Sequence, residues 1–384
     1  MYNYGGKAML TKFSVENYKS FNKKITLDLT KAHDYDFNKE AIKDGIVKNA
    51  VIFGENGSGK SNFSLALFDI VVTLTDKNCD KLQLEPTSFL NFDSSKNSAT
   101  FSYEFKFLDK TIQYVYRKSA PKTLTYEELR VNNELVFSCD VVKKKFNSFE
   151  LSKIGLGSFT YDGYAFDLPF LRYLRGNTSH KDDSVIKFIF EFANKMLWFR
   201  SLQTTSYVGV KNGVEYIIPW IIEHDFVRDF EKFLSDVGGL NLSIDIATSD
   251  NPLPQKTLII VNENKTKALN FELVKSSGTN ALLILFYWYK QLKDVSFIFI
   301  DEFDAFYHFE LSKKVVEAFK KMSDVQAIFT SHNTYIASND ILRPDCYFTL
   351  ADGTIKSFCE RTGRELREGH NLEKLLRSGE FNNE

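Results

Sequence analysis

The segment Val51–Phe63, VIFGENGSGKSNF, limits what this chain can fold into more than any other part of its sequence. An apolar strand, Ala50–Phe53, runs into a loop, Gly54–Ser61, that matches the pattern G-x-x-x-x-G-K-[ST] at every fixed position. Glycines let the backbone turn tightly, so that its N–H groups point inward at phosphate oxygens. The apolar helix expected over Ser61–Leu74 adds the positive end of its dipole. The segment therefore predicts a phosphate-binding loop (P-loop) between a buried strand and a helix.

The side chains of this loop have distinct expected roles. Lys60 is expected to reach the β- and γ-phosphates of a nucleotide, and the Ser61 hydroxyl to ligate Mg²⁺. ATP and Mg²⁺ are therefore the predicted ligands. The predicted nucleotide-binding residues are Gly54, Asn56, Gly57, Ser58, Gly59, Lys60, Ser61 and Asn62. A chance glycine turn is the competing interpretation, and the strand before the loop and the helix after it argue against it.

The composition is that of an ordinary globular protein. Of 384 residues, 43% are hydrophobic and 26% are charged, and the formal net charge of −1 gives no overall basic signature for nucleic-acid binding. The basic cluster Lys143–Lys145 is interpreted as solvated surface. No apolar run approaches membrane-spanning length, and the N-terminal MYNYGGKAML is not a signal peptide.

The cysteines indicate a reducing compartment. None of them forms a C-x-x-C motif or stands at metal-binding spacing from a histidine. Reduced, isolated thiols of a cytoplasmic protein are therefore predicted. The cysteines are Cys79, Cys139, Cys346 and Cys359.

Apolar spacing predicts an antiparallel β lobe and then helices. Two strands are expected within Leu10–Leu29, around a turn at Asn22-Lys23, and period-two alternation resumes at Ala99 and continues to Phe137. Between Ser179 and Leu242 the spacing becomes helical. One expected helix face carries Ile186, Ile189, Phe190, Ala193 and Leu197, and a later one carries Phe226, Phe230, Phe233 and Leu234.

The C-terminal part of the chain alternates strands and helices, which predicts a parallel sheet packed on both faces. The expected elements are the hairpin strands Lys256–Val261 and Lys267–Leu273, the helices Thr279–Leu292 and Phe309–Met322, and the strands Val295–Ile300 and Gln326–Thr330. Sustained heptads do not occur, so a long coiled coil is not expected.

The strand Val295–Ile300 ends in Asp301-Glu302, and an apolar strand that ends in this pair is typical of a Walker B motif. At the carboxyl edge of the sheet, Asp301 is expected to hold Mg²⁺ directly or through water. Glu302 is expected to polarise the water that attacks the γ-phosphate. An Asp-Glu pair after an apolar run is common in proteins. The P-loop upstream strengthens its interpretation as a Walker B motif.

Two further segments are placed to complete the site. Ser331-His332 follows the next strand, where a histidine can hydrogen-bond the γ-phosphate; a structural histidine is the alternative. Ser276–Thr279 lies ahead of the Walker B strand and begins an apolar helix. A serine, a glycine and a helix N-terminus can form an anion site, although alone they describe an ordinary helix cap.

The ordered set of P-loop, Ser276–Thr279, Asp301-Glu302 and His332 resembles the ABC-type ATPase heads of the RecF, SMC and OLD group. The opening LTKFSVENYKSF looks like the start of those heads, and the resemblance covers nearly the whole chain. The short chain and the C-terminal REGHNLEKLLRSGEF look like the compact AAA-family ATPases of bacterial anti-phage and abortive-infection systems. The ATPase subunits of the Septu and PARIS systems are examples.

This resemblance implies a site shared by two subunits. Glu302 is the implied catalytic carboxylate, His332 the γ-phosphate switch, and Lys60 the phosphate-binding ammonium. Mg²⁺ is implied on Ser61 and Asp301. The residues implied to act in trans are Ser276, Ser277, Gly278 and Thr279, those implied for the D-loop at the dimer interface are Asp304 and His308, and the nearest candidate for a Q-loop glutamine is Gln83.

The predicted fold class is α/β: a P-loop ABC-type ATPase head with an antiparallel β lobe, a helical insertion and no long coiled coil. One domain is predicted over residues 9–384. Its parts are 9–140 (P-loop core and antiparallel lobe), 150–250 (helical insertion) and 255–384 (the implied signature segment Ser276–Thr279, Walker B and switch histidine).

The resemblance implies an ATP-dependent homodimer or higher oligomer that acts as a sensor or scaffold for a separately encoded effector, such as a nuclease, in anti-phage defence. The alternative is a DNA-binding or repair ATPase of the RecF kind, which the overall charge does not indicate. A self-contained nuclease ranks last, because only about fifty residues follow His332 and leave no room for the Toprim domain of OLD nucleases.

Overall fold

A computed structural model describes residues 8–75, 88–179, 181, 184–200, 206–209, 217–249, 255–292, 295–304, 309–322 and 325–382. The strands are β1 Ala8–Glu16, β2 Ile25–Asp28, β3 Ile42–Lys43, β4 Ile46–Val47, β5 Asn49–Phe53, β6 Ala99–Phe107, β7 Lys110–Ala120, β8 Thr123–Val131, β9 Glu134–Asp140, β10 Lys145–Phe149, β11 Met196–Arg200, β12 Ser206–Gly209, β13 Ser243–Ser249, β14 Gln255–Val261, β15 Ala268–Asn270, β16 Phe297–Asp301, β17 Gln326–Ser331, β18 Tyr347–Ala351 and β19 Thr354–Ser357. The helices are α1 Lys60–Leu67, α2 Asp69–Leu74, α3 Phe170–Asn177, α4 Val185–Asn194, α5 Ile217–Glu223, α6 Val227–Asp236, α7 Phe271–Val274, α8 Ser277–Gln291, α9 Phe309–Lys320, α10 Phe358–Arg361 and α11 Leu372–Arg377.

A mainly parallel sheet forms the centre of the molecule, in the order β12-β11-β16-β17-β5-β18-β19. The five inner strands run parallel, and β12 and β19 join antiparallel at the edges. Every residue of β5, β16 and β17 is buried, as expected for strands covered on both faces. Because β17 lies between β5 and β16, the carboxyl ends of these three strands meet at one edge of the sheet.

A second, antiparallel sheet has the order β10-β9-β8-β7-β6-β1-β2 and covers the helix that follows the P-loop. In β6 every second residue is buried and the residues between them are more exposed, as expected for a sheet with one solvated face. The rings of Phe13 and Phe63 meet edge to face with centroids 5.3 Å apart, which joins β1 to α1. The predicted α/β class with an attached antiparallel lobe is confirmed, and the longest described helix, α8, has 15 residues.

A buried polar network also joins the two layers. Lys118 on β7 donates to both carboxylate oxygens of Asp69 on α2, at 3.0 and 2.8 Å. The hydroxyl of Tyr116 donates to the same carboxylate at 2.8 Å, and Thr73 donates to it at 3.0 Å. The Lys118 and Asp69 side chains are only 4% and 0% exposed. Because a buried charge must be paired, this network fixes α2 against the antiparallel sheet.

Three sequence expectations are wrong in detail, and the first concerns the helix expected over Ser61–Leu74. It is interrupted at Phe68, where α1 ends and α2 begins. The hydroxyl of Tyr103 donates to the carbonyls of Ala66 and Leu67, at 3.0 and 3.1 Å. A continuous helix would use those carbonyls for its own N–H groups. A tertiary contact from β6 therefore breaks the helix.

The second concerns Leu197, which the apolar spacing places on a helix face with Ile186 and Ala193. Leu197 lies in β11 instead, paired in parallel with Ile298 of β16. A short strand that is buried on both faces is a continuous apolar run, and periodicity alone does not separate it from a buried helix. The insertion after the antiparallel lobe is therefore only partly helical.

The third concerns the hairpin strand expected to extend to Leu273. The strand β15 ends at Asn270, whose side-chain oxygen accepts from the N–H of Glu272 at 2.9 Å. An asparagine in this position caps a helix, and the short helix α7 begins at Phe271. No helix among the described residues is long and apolar enough to cross a membrane.

Candidate nucleotide-binding site

The P-loop has the backbone shape that its glycines require. Gly57 and Gly59 adopt φ angles of 79° and 104°, in the left-handed region that glycine enters without strain. A Cβ atom on Gly59 would come within 2.9 Å of the Ser20 hydroxyl and 3.0 Å of the Phe21 ring, and one on Gly54 would come within 2.7 Å of Ser58 Oγ. Close approach therefore favours glycine at both positions, and at Gly59 the left-handed φ adds to this preference.

The loop also fits an anionic ligand chemically. Ser58 Oγ is buried and has no hydrogen-bond partner among the described residues. A buried hydroxyl without a partner is costly unless another acceptor or donor reaches it. The helix α1 starts at Lys60, immediately after the loop, so its N-terminal N–H groups also face the same region. These features match the phosphate chain of a nucleotide.

Lys60 brings a positive charge to the same place. Its side chain is buried, and its Nζ donates to the carbonyls of Gly54 and Glu55 at 2.7 and 3.0 Å. Burial lowers the pKa of Lys60, and the carboxylates of Asp301, Glu302 and Asp304 oppose that shift. The ammonium therefore lies near three acidic side chains. A bound phosphate would balance the charge of the ammonium, and a bound metal ion would balance the charges of the carboxylates.

The Walker B pair is held by Thr330, at the end of the neighbouring strand β17. The Thr330 hydroxyl donates to Asp301 Oδ1 at 2.6 Å and accepts from the backbone N–H of Glu302 at 2.7 Å. Glu302 has a φ of 46°, an uncommon value for a residue with a Cβ. This turn ends β16 directly after the buried Asp301. The Asp301 carboxylate is therefore buried and hydrogen-bonded to Thr330, whereas the Glu302 carboxylate is held next to it in a more exposed position.

His332 lies between the other charged groups. Its Nδ1 is 3.4 Å from Lys60 Nζ, and its Nε2 is 3.6 Å from Glu302 Oε1. The order of the strands explains this position, because His332 follows β17, which is flanked by β5 and β16. The structure therefore brings Lys60, Glu302 and His332 together although 272 residues separate Lys60 from His332.

Asp304 is positioned by the residue before the histidine. The hydroxyl of Ser331 donates to Asp304 Oδ2 at 2.8 Å and accepts from the N–H of Asn333 at 2.8 Å. Burial raises the pKa of Asp304, and the hydrogen bond from Ser331 opposes this shift. Ser331 thus connects the segment after Walker B to the segment that carries His332.

The family model for the AAA domain described as "putative AbiEii toxin, Type IV TA system" matches residues 50–338. This range contains the P-loop, the Walker B pair and His332. The chain belongs to this family. Its members are AAA-type domains, so the chain is an ATPase of the AAA type. No curated protein matches the sequence.

Solved structures of SMC heads are similar to this AAA family member at 14% sequence identity. A Pyrococcus furiosus SMC head bound to the C-terminal domain of ScpA has a TM-score of 0.46, covering 91% of this chain and 96% of that one. An SMC head from Thermotoga maritima has a TM-score of 0.41, with 91% and 97% covered. A further SMC head, bound to the C-winged helix domain of ScpA, has a TM-score of 0.44, with 91% and 96% covered. TM-scores this low do not support an assignment of the fold. The fold described above therefore rests on the order of the strands in the two large sheets.

The predicted signature residues of this family member lie at the start of α8 and not at the P-loop. The hydroxyl of Ser276 accepts from the N–H of Thr279 at 3.1 Å and so caps the helix. Ser276 and Ser277 are exposed, and Thr279 is buried. No hydrogen bond or ion pair within the described ranges joins these residues to the P-loop. Among predicted site residues, Gln83 and His308 lie outside the described part of the chain.

Sequence reasoning missed the residues that hold the site in place. Asn62 donates to the Ser20 hydroxyl at 3.0 Å, and Ser20 and Phe21 pack against Gly59. The sequence pattern marks Thr330 only as the last residue of a strand. The segment NYKSF contains Ser20 and Phe21, and its contact with the P-loop cannot be read from the sequence pattern.

A cavity of about 560 Å³ opens beside the P-loop, toward β18 and α11. Its lining includes Glu55, His332, Leu350, Asp352 and Leu376. Its lining also includes the P-loop residues Gly54, Asn56, Gly57 and Ser58. The cavity is therefore part of the candidate nucleotide site, and its volume is in the size range of ligand pockets.

Proposed function

We propose that this protein binds and hydrolyses Mg-ATP at sites shared between two copies of the chain. We further propose that the nucleotide state of this dimer controls a separate effector in anti-phage defence. The observation that carries the first proposal is the position of His332, 3.4 Å from Lys60 Nζ and 3.6 Å from Glu302 Oε1. Family membership and the P-loop support nucleotide binding in general.

Phosphate binding is assigned to the P-loop backbone and Lys60. In the ligand-bound protein, phosphate oxygens would replace the carbonyls of Gly54 and Glu55 as acceptors for Lys60 Nζ. Because the ammonium is buried, its attraction for a phosphate is screened less than at a surface. The hydroxyl of Ser58 and the N-terminus of α1 add uncharged donors.

Ser61 and Asp301 are the proposed Mg²⁺ ligands, and the ion would neutralise charge that develops on the β- and γ-phosphate oxygens. A hydroxyl and a carboxylate are the oxygen ligands that Mg²⁺ accepts, and it commonly takes its remaining ligands from phosphates and water. Among the described residues no group of three His, Cys, Asp or Glu side chains is placed to hold a metal ion. A site of one or two protein ligands is consistent with that finding.

Hydrolysis is assigned to Glu302 and His332. A general base must lie within hydrogen-bond reach of the water that it orients. Glu302 follows the metal-binding Asp301 directly, and its side chain is 21% exposed, so a water molecule can approach its carboxylate. His332 faces the same space from β17 and is assigned to the γ-phosphate. Catalysis would then consist of positioning and charge stabilisation.

The trans site is assigned to Ser276, Ser277, Gly278 and Thr279 of a second copy. Their support is the exposed, capped N-terminus of α8, which has two serine side chains at its tip. Closure of the dimer would need contacts that form only in the ATP-bound state. ATP binding would thereby close two copies and hydrolysis would reopen them, which gives a nucleotide-gated scaffold. The toxin–antitoxin description of the family supports a defence role for that scaffold.

The test is purification of the complex from its native operon, with ATP and the Glu302→Gln variant, followed by mass measurement. Glu302→Gln should keep ATP binding and lose hydrolysis by a factor of about 10²–10⁴, as for removal of a general base. A stoichiometric second protein would support effector control. A bare homodimer would count against it and would favour the DNA-binding alternative, whose mark is hydrolysis stimulated by DNA and lost at high salt.

A further inference from the structure

A second cavity, of about 490 Å³, lies in the antiparallel lobe and away from the candidate nucleotide site. It is bordered by Thr73 near the end of α2, by Lys122 in the turn between β7 and β8, and by Phe166 ahead of α3. Its described lining includes no residue of the P-loop, of the Walker B pair or of the segment that carries His332. We call this space the hairpin cavity, and its volume is in the range of small-molecule sites.

Lys118 brings a buried positive charge to the hairpin cavity. Its side chain is 4% exposed, and its Nζ donates to the two carboxylate oxygens of Asp69 at 3.0 and 2.8 Å. An ammonium has three N–H donors, and within the described part of the chain Asp69 is the only group that accepts from this one. A buried donor without an acceptor is costly. The third N–H group of Lys118 therefore needs an acceptor, which a ligand in the cavity can supply.

The charges around the hairpin cavity favour an anion. Lys122 is exposed and Arg172 is partly buried, and both belong to the lining together with Lys118. Asp167 is the one carboxylate among the described lining residues, and it is exposed. With Asp69 behind Lys118 counted as well, these cations still outnumber these carboxylates by three to two. A concave site with a positive net charge attracts an anion over a neutral or cationic ligand.

Part of the wall of the hairpin cavity is apolar, and it is formed by Leu124, Leu168 and the ring of Phe166. Phe166 has a φ of 59°, which is a clear outlier for a bulky side chain. Its ring is held against those of Tyr164 and Phe146, with centroids 4.5 and 5.7 Å away. Backbone strain of this kind concentrates at ligand-binding and switch sites. The strained residue and the apolar wall together indicate a ligand with an apolar body.

We propose that the hairpin cavity binds a small organic anion. Its phosphate or carboxylate group would face Lys118, Lys122 and Arg172, and its aromatic or aliphatic body would pack against Phe166 and Leu168. An oxygen of the anion then supplies the acceptor for the third N–H group of Lys118, in a hydrogen bond between two charged groups. This site lies outside the proposed function, and it does not depend on ATP binding or on a second copy of the chain.

The test is a fluorescence titration of the full chain with anilinonaphthalene sulfonate, an anionic probe with an aromatic body. We expect Lys122→Glu to raise the Kd of this probe about tenfold, because it replaces attraction by repulsion at the opening of the cavity. The matched control is Lys106→Glu on β6, because Lys106 is also an exposed lysine of the antiparallel sheet, and it should leave the Kd unchanged. Lys60→Met should leave it unchanged as well, since only a probe bound at the P-loop would lose affinity there.

Two further measurements define the chemistry of the ligand. N-phenylnaphthylamine has the same rings without the sulfonate, so it should bind about tenfold more weakly and should not respond to Lys122→Glu. Phenyl phosphate and benzoate should compete with the sulfonate probe, and their relative affinities tell which anionic group the cavity prefers. Benzyl alcohol, which has the ring without a charge, should not displace the probe.

Equal Kd values for the sulfonate probe in Lys122→Glu and the native chain would overturn this inference. A probe that neither phenyl phosphate nor benzoate displaces, or that benzyl alcohol displaces as readily as they do, would also overturn it. If Lys122→Glu does not fold, Thr123→Trp decides in its place, because Thr123 is an exposed lining residue at the same turn. A large ring there should block the opening and raise the Kd, and an unchanged Kd would show that the probe binds elsewhere.

Discussion

The hydroxyl of Thr330 donates a hydrogen bond of 2.6 Å to Oδ1 of Asp301. Asp301 is the last residue of β16, and Thr330 is the penultimate residue of the adjacent parallel strand β17. The same hydroxyl accepts a hydrogen bond from the backbone N–H of Glu302. A single side chain from β17 therefore sets the orientation of one carboxylate and the backbone position of the next. In metal sites such supporting hydrogen bonds orient the ligand and tune its affinity.

Thr330→Val is expected to lower ATP hydrolysis about 10- to 100-fold, the usual cost of losing a partner that orients a metal ligand. The variant keeps the volume and removes the hydroxyl, so Asp301 and the N–H of Glu302 lose a shared partner. The Mg²⁺ concentration needed for half-maximal rate should rise, and binding of metal-free ATP should not change. Thr330→Ser keeps the hydroxyl and should restore most of the activity. Equal Mg²⁺ requirements in Thr330→Val and the native chain would contradict this role.

Lys118→Met is expected to destabilise the fold by about 3–5 kcal/mol, because it leaves the Asp69 carboxylate buried without its cation. The measurement is urea denaturation followed by circular dichroism. Adding Asp69→Asn should recover part of the loss, because the uncompensated charge is then absent. Lys96→Met removes the partner of Glu16 at a site where Lys96 is 56% exposed, and it should have little effect. Equal effects of Lys118→Met and Lys96→Met would show that the buried pair is not needed.

Glu127 makes stability depend on pH. It is buried on β8, and its carboxylate accepts from the N–H groups of Phe170 and Leu171 at the start of α3, at 2.5 and 3.0 Å. Burial raises the pKa of Glu127 from 4.5 to about 7, although these N–H groups and Tyr114 oppose the shift. Between these values the folded state binds more protons than the unfolded state.

The free energy of unfolding should therefore fall as pH rises from about 4.5 to 7, by up to about 1.4 kcal/mol per pH unit for this group and on the order of 3 kcal/mol in total. Glu127→Gln should remove this component of the slope, as measured by urea denaturation across that range. Glu134→Gln, at a carboxylate that is 67% exposed, is the control. An unchanged slope in Glu127→Gln would contradict the raised pKa.

The P-loop and the strands that carry the site could be predicted because their signals are local. Gly54–Ser61 is a fixed pattern of residue types, and the apolar runs that end in Asp301 and Ser331 mark two buried strands. Parallel strands bring such ends together at one edge. That rule alone places Lys60, Glu302 and His332 near one another.

The remaining details depend on contacts between distant residues. The break at Phe68 arises from the Tyr103 hydroxyl on another sheet, and the strand that contains Leu197 is set by its pairing with β16. The role of Thr330 depends on its distance from Asp301, and that distance cannot be read from a sequence. Local propensity is a weak guide at such positions because tertiary contacts override it.

The composite site is tested most directly by mixing two inactive variants. Lys60→Met removes phosphate binding in its own chain, and Ser277→Arg blocks the trans contribution. In a mixed dimer one site combines the intact P-loop of the Ser277→Arg chain with the intact signature of the Lys60→Met chain. An equal mixture should therefore recover up to about a quarter of the native ATPase rate, because half of the dimers are mixed and each has one complete site. A mixture no more active than the two variants measured separately, or full activity of Ser277→Arg alone, would contradict a site shared between two copies.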